Sequence, residues 1–181
     1  IYNSKYSPIF IFFHIFFKIT GKDIAKQFTL YLLFGYSKTE LYNFGFKFRD
    51  EFLSKKEVIP VHKLFYEWKN NNEIIYLLSA SIDPVINALA EKLDVPFFSS
   101  RLKYHKEIFI GEQEFEMSGK KLDVLMDKCV DLDDLTVVTD NYSDRKLMCK
   151  AKKRVAVIYD DIAKNYWKDL SPKFIDLRKN K

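Results

Sequence analysis

From Pro60 onward the chain repeats one pattern: a short, largely apolar run, a helix-length amphipathic stretch, then another apolar run. The runs are Ile74 to Leu78, Val95 to Phe98, Thr136 to Thr139, Val155 to Tyr159 and Phe174 to Leu177. Runs this short, without polar alternation, suit strands covered on both faces, as in a parallel sheet flanked by helices. The predicted fold class is therefore α/β, with a doubly wound, Rossmann-like parallel sheet. Helices are predicted from Pro60 to about Asn70, over 84–93 with Pro84 in the first turn, over 121–129 behind Ser118 as cap, and from about Asp144 to Lys150. Residues 101–117 alternate loosely around Gly111, which predicts a hairpin there.

The first 60 residues differ in character. Nine Lys/Arg stand against five Asp/Glu, while residues 61–181 are nearly balanced, at 21 against 20; 16 of the 30 aromatic residues also fall in those first 60. No Gly/Ser/Pro-rich spacer exists, so this shift is what marks a boundary near Pro60. Thr20 with Asp23, and Ser37 with Glu40, resemble helix-capping signals. Ile24, Phe28 and Leu32 precede Gly35, a C-terminal glycine signal, and Leu41, Phe44, Phe48 and Phe52 form a second stripe. Gly45 weakens that second helix, and the alternation of Phe44, Phe46 and Phe48 also reads as a strand. The expected organisation is a helical subdomain over 1–59 and an α/β core over 60–181.

Composition excludes several classes. With 48% hydrophobic and 30% charged residues, the chain buries a core and is not disordered. The net charge of +5 raises nucleic-acid binding, but no zinc-finger or RNP-like motif accompanies it, and no nucleic acid is expected. Cys129 and Cys149 lack metal spacing and read as buried thiols of a cytoplasmic protein. The apolar run Ile9 to Phe17 is interrupted by His14, ends at Lys18 and falls short of the roughly 20 residues a spanning helix needs. It reads as a buried helix face, with an interfacial helix at a membrane surface as the alternative.

Four polar positions follow the apolar runs, at the edge where open α/β sheets bind ligands. Ser79, with backbone N–H groups of the next turn beginning at Ala80, can form an anion site; a small turn residue is the bland reading. Lys121 opens a helix, where the dipole disfavours a cation, so an external anion would explain it; a solvated pair with Lys120 would also. Asp140 follows a strand directly, and Asp144 stands four residues on at a helix start. Two such carboxylates suit a hard, oxygen-liganded cation, although Asp144 could simply cap its helix. Asp131, Asp133 and Asp134 read as a solvated turn, and Asp161 as a helix cap. His14, His62 and His105 show no metal spacing, and GxGxxG, GxxxxGK[ST] and GxSxG are all absent.

Taken in order, LLSAS (77–81), SGKKLDVL (118–125) and VVTDNYSDRKLM (137–148) resemble motifs II, III and IV of the haloacid dehalogenase superfamily, closest to its phosphoserine-phosphatase-like branch. The resemblance covers residues 60–160. It implies that Ser79 and Ala80 grip a phosphoryl group and that Lys121, or Lys120, neutralises charge. It also implies that Asp140 binds Mg²⁺ and that Asp144 orders the metal waters or the lysine. The helical residues before Pro60 would form a C1-type cap. The family's motif I, Asp-x-Asp-x-Thr at the end of a first strand, occurs nowhere in the chain. The resemblance thus implies a nucleophilic aspartate upstream of Ile1, a missing central strand, and no activity in these 181 residues alone. Its implied function is a Mg²⁺-dependent phosphatase acting on a small phosphorylated metabolite through an aspartyl-phosphate. The alternatives are a non-catalytic haloacid-dehalogenase-like binding module, a lipid-phosphate phosphatase at the membrane surface, and a helical membrane-surface or nucleic-acid-binding protein whose α/β half is only a scaffold.

Overall fold

The computed structural model describes Phe28 and residues 30–178. The readings of Thr20, Asp23, Ile24, His14 and the run Ile9 to Phe17 fall outside those residues. Within them the order is α1 (Lys38–Glu51), α2 (Ile59–Asn70), β1 (Leu77–Ile82), α3 (Asp83–Leu93), β2 (Phe97–His105), β3 (Ile108–Phe115) and α4 (Lys121–Asp127). There follow β4 (Thr136–Thr139), α5 (Arg145–Lys150), β5 (Lys153–Ile158), α6 (Asp161–Trp167) and β6 (Lys173–Asp176). None of the described helices is long and apolar enough to cross a membrane.

The six strands form two sheets of three, not one. In the first, β1 runs parallel to β2, and β3 returns antiparallel. In the second, β4, β5 and β6 are all parallel, with Val138 opposite Val155 and Ala156 opposite Phe174. Strands β1 and β4 flank a cavity of about 720 Å³ that Leu77, Leu78, Val137 and Val138 help to line. A second cavity, of about 410 Å³, also touches Leu77 and Val138. The core joins the layers: Trp167 and Met148 are fully buried with Ile158, Ala156 and Leu125, and Leu78 and Phe98 pack against that cluster.

Local signals explain most helix starts. Ser37 and Glu40 form the full capping box: the Ser37 hydroxyl accepts from the Glu40 N–H, and the Glu40 carboxylate accepts from the Ser37 N–H. Proline occupies the first turn of both α2 and α3. Phe44, Gly45 and Phe48 are helical, so the strand alternative there is excluded. Gly45 is required by packing. A Cβ at this position would lie 2.1 Å from the Pro84 carbonyl oxygen, so α1 approaches the start of α3 as closely as a glycine allows. The Arg49 guanidinium donates to the Ala88 carbonyl further along α3. Helix α1 is therefore fastened directly to a helix of the α/β layer.

Several sequence expectations need correction. The first strand is Leu77–Ile82, not 74–78, so Ser79 lies inside the strand beside an irregularity in its pairing. The run at Val95 is the entrance to a longer strand that itself forms the first arm of the hairpin. The hairpin turns at Lys106 and Glu107, both with positive φ, and Gly111 lies within β3 at φ 81°. A two-residue turn with two left-handed residues matches the twist of the strands it joins, which the missing glycine at 106–107 concealed. Lys120, without a side-chain cap, precedes α4 in place of Ser118. Asp160, not Asp161, caps α6 by accepting from the Ala163 N–H. Cys129 and Cys149 are exposed free thiols: Cys129 lies in the turn after α4, at φ 53°, and Cys149 on the open side of α5.

Candidate active site

The centre of the site is a buried carboxylate with two donors. Asp144 is 4% exposed, and its Oδ2 accepts from the Lys121 ammonium at 2.7 Å and from the Thr139 hydroxyl at 2.7 Å. Only 11% of the Lys121 side chain is exposed. The Thr139 hydroxyl in turn accepts from the Asn141 N–H at 3.0 Å, which fixes the chain as it leaves β4. The Asn141 side chain accepts from the Ser143 N–H and caps the short 3₁₀ turn Tyr142–Asp144 that delivers Asp144. Two donors on one buried carboxylate oxygen, with the chain leaving β4 fixed by the Thr139–Asn141 bond, hold this ion pair in one arrangement.

This geometry separates readings that the sequence left open. Asp144 makes no side-chain cap to α5, so capping does not account for it. Lys121, not Lys120, meets Asp144. Lys120 instead lies over the Phe115 ring, 5.3 Å from its centroid.

Asp140, next to Thr139, is exposed. Tyr159, one residue beyond β5, lines the same cavity as Asp140. Burial first, then the nearby Asp140 carboxylate, pushes the Tyr159 phenol above its ordinary value. Among the described residues no three His, Cys, Asp or Glu side chains gather closely enough to hold a metal ion. A magnesium ion keeps several waters and takes one or two carboxylates together with phosphate oxygens. Asp140 fits as one such ligand, whereas the charge of Asp144 is already engaged by Lys121.

Ser79 and Ala80 lie in the middle of β1. The Ser79 hydroxyl accepts from the Ser81 N–H at 3.1 Å, keeping its own proton free to donate to an anion. Ala80 is held from behind: the fully buried Ser100 hydroxyl donates to its carbonyl at 2.9 Å and accepts from the Met117 N–H. Leu78, adjacent to Ser79, shares the larger cavity with Lys121 and Asp144; Thr139, Asp140 and Tyr159 line the smaller one. Sequence reasoning missed Thr139, Ser100 and Tyr159. Thr139 had a readable signal, a hydroxyl just before the Asp140 carboxylate. Ser100 and Tyr159 had none, since their partners are distant in sequence.

No family model and no curated protein sequence matches the chain. Solved structures do. A protein of unknown function from Bordetella pertussis Tohama I aligns at 16% identity over 84% of this chain and 73% of its own, with a TM-score of 0.73. A phosphoserine phosphohydrolase-like protein from Francisella tularensis subsp. tularensis SCHU S4 aligns at 19% identity over 76% of this chain and 65% of its own, with a TM-score of 0.57. The chain has a haloacid dehalogenase-like fold. A phosphoserine phosphatase in apo form also aligns, at 24% identity over 65% of this chain and 62% of its own, with a TM-score of 0.49. At these identities the likeness concerns fold, and the chemistry rests on the residues themselves.

Proposed function

We propose that this chain carries the phosphate-binding and charge-stabilising part of a magnesium-dependent phosphomonoesterase. The observation that carries the reading is the buried Lys121–Asp144–Thr139 network beside Asp140. A lysine opening a helix and sunk against a carboxylate holds positive charge at a fixed place with little solvent to screen it. Ser79 donates its hydroxyl proton to a phosphoryl oxygen. Lys121 stabilises charge on the equatorial oxygens, while Asp144 and Thr139 hold its ammonium in position. Asp140 would hold a Mg²⁺ ion, which supplies Lewis-acid stabilisation of the phosphate when bound.

No described residue of this site is placed to attack phosphorus. The reading assigns that step to an aspartate outside these 181 residues. Its oxygen bonds to phosphorus as the ester oxygen leaves and takes a proton, and water then cleaves the aspartyl-phosphate. The substrate is a small phosphorylated metabolite. A second reading, a phosphate-binding module without turnover, draws on the same absence of an attacking group.

Titration of the chain with inorganic phosphate, with and without Mg²⁺, tests the reading by calorimetry. Binding that needs Mg²⁺ and falls at least about tenfold in Ser79→Ala and Asp140→Asn is expected. Binding indifferent to Mg²⁺ and to both substitutions would overturn it. Turnover of soluble phosphomonoesters by a longer protein containing these residues separates enzyme from binding module.

A further inference from the structure

Ser100, in β2, is fully buried, and its hydroxyl holds three groups at once. It donates to the Ala80 carbonyl at 2.9 Å, shares that proton with Glu116 Oε1 at 3.2 Å, and accepts from the Met117 N–H at 3.1 Å. Glu116 Oε1 also accepts from the Ser118 N–H at 3.0 Å. The chain leaving β3 thus clamps the hydroxyl from one side and leaves it aimed at β1. It meets β1 where the ladder is irregular: the register runs from Ser79 opposite Ser99 to Ile82 opposite Ser100, stepping over Ala80 and Ser81. A side chain here fixes a peptide group, as ladder bonds do along a regular strand pair.

That peptide group bears directly on Ser79. The Ala80 carbonyl and the Ser81 N–H are its two ends, and a planar trans peptide points them in opposite directions. The N–H end donates to the Ser79 hydroxyl at 3.1 Å. Holding the carbonyl end therefore sets where the Ser79 oxygen is gripped, and so where its own proton can point. We propose that Ser100 is a positioning residue for Ser79, acting through the Ala80–Ser81 peptide without touching the ligand. This role rests on the reading of Ser79 as a donor to a phosphoryl oxygen. A buried serine that served only the Met117 N–H would support the hairpin and leave Ser79 indifferent.

The test measures inorganic phosphate binding to the 181-residue chain, with Mg²⁺, by calorimetry in a double-mutant cycle. Ser100→Ala should weaken binding about three- to tenfold while Ser79 is present, and less than about twofold further in Ser79→Ala. Ser100→Cys fills the same space with a weaker donor; it should show the same dependence on Ser79 and carries the test if Ser100→Ala does not fold. Amide hydrogen exchange of the unliganded chain gives a second readout. The Ser81 amide should exchange about threefold or more faster in each Ser100 variant. Equal fold losses with and without Ser79, an unchanged affinity, or an unchanged Ser81 amide would overturn the role of Ser100 alone. A parent chain that binds no phosphate would overturn the phosphate reading itself, and the role of Ser100 with it.

Discussion

The Lys121 ammonium lies 2.7 Å from Asp144 Oδ2, and the two side chains are 11% and 4% exposed. Twenty-three residues of chain separate them, so only the packing of α4 against the start of α5 makes the contact. Removing one member of a buried ion pair strands the other charge, at a cost of about 3–5 kcal/mol. Lys121→Met and Asp144→Asn should each lower stability on that scale in urea denaturation. The double change Lys121→Met with Asp144→Asn should cost clearly less than their sum. Additive losses would show that the pair is not coupled.

Thr139 is buried and serves Asp144 as donor and the Asn141 N–H as acceptor. Thr139→Val keeps the branched shape and removes both bonds, so a loss of about 1–3 kcal/mol is expected. Thr139→Ser should recover most of it. Thermal unfolding of the two variants side by side provides the check.

Gly45→Ala separates intrinsic propensity from packing. In a free helix the change favours the helix by about 1 kcal/mol. Here the new methyl would meet the Pro84 carbonyl oxygen at 2.1 Å, and backbone at that distance cannot step aside cheaply. Destabilisation of about 1–3 kcal/mol is expected, as for other overpacked sites. A stabilised variant would mean that α1 does not sit on α3 this closely.

Asp83, in the first turn of α3, accepts from the Leu102 N–H and from the Tyr42 hydroxyl of α1. Burial pushes its carboxyl above the ordinary value, with those two bonds pulling the other way; burial and the Asp83 charge push the Tyr42 phenol up to about 12. A carboxyl raised in the folded state holds its proton more tightly there than in the unfolded chain. Its contribution is therefore present below the ordinary value of ~4 and is lost as pH rises through the folded value. From pH ~4 toward neutrality, the stability of the unaltered chain should decline relative to Asp83→Asn. Denaturation curves at several pH values would show it, and parallel pH profiles would count against it.

Asp140 is exposed and carries no buried network, so Asp140→Asn should leave stability within about 0.5 kcal/mol of the parent. Its effect should fall on the cation instead. Mn²⁺ binding followed by electron spin resonance should weaken at least about tenfold, with Mg²⁺ competing for the same site in the parent. Unchanged Mn²⁺ affinity would remove Asp140 from the metal site.

Elements with local causes were legible in the sequence. The capping box at Ser37 and Glu40, the first-turn prolines at 60 and 84, and the helix after Asp144 all arise from contacts within a few residues. The apolar runs at 136–139 and 155–159 announced strands because a strand buried on both faces has no polar side to show. Strand boundaries were harder. Tyr76 and Leu77 are both apolar, and only pairing with β2 decides where β1 begins. The hairpin at Lys106 and Glu107 was misplaced because two ordinary residues adopt positive φ there, a local strain that the ladder between β2 and β3 compensates.

By itself the sequence determined the α/β class and the order of helices and strands, and it singled out Ser79, Lys121, Asp140 and Asp144 as candidate positions. Periodicity and caps are properties of neighbouring residues, and these need no knowledge of the whole. Tertiary structure alone decided that Lys121 rather than Lys120 meets Asp144, that Thr139 joins that pair while Tyr159 lines the same cavity as Asp140, and that the described strands divide into two half-sheets. Those outcomes depend on side chains and strand edges brought together from distant parts of the chain, where the energy lies in burial and backbone pairing rather than in any local pattern.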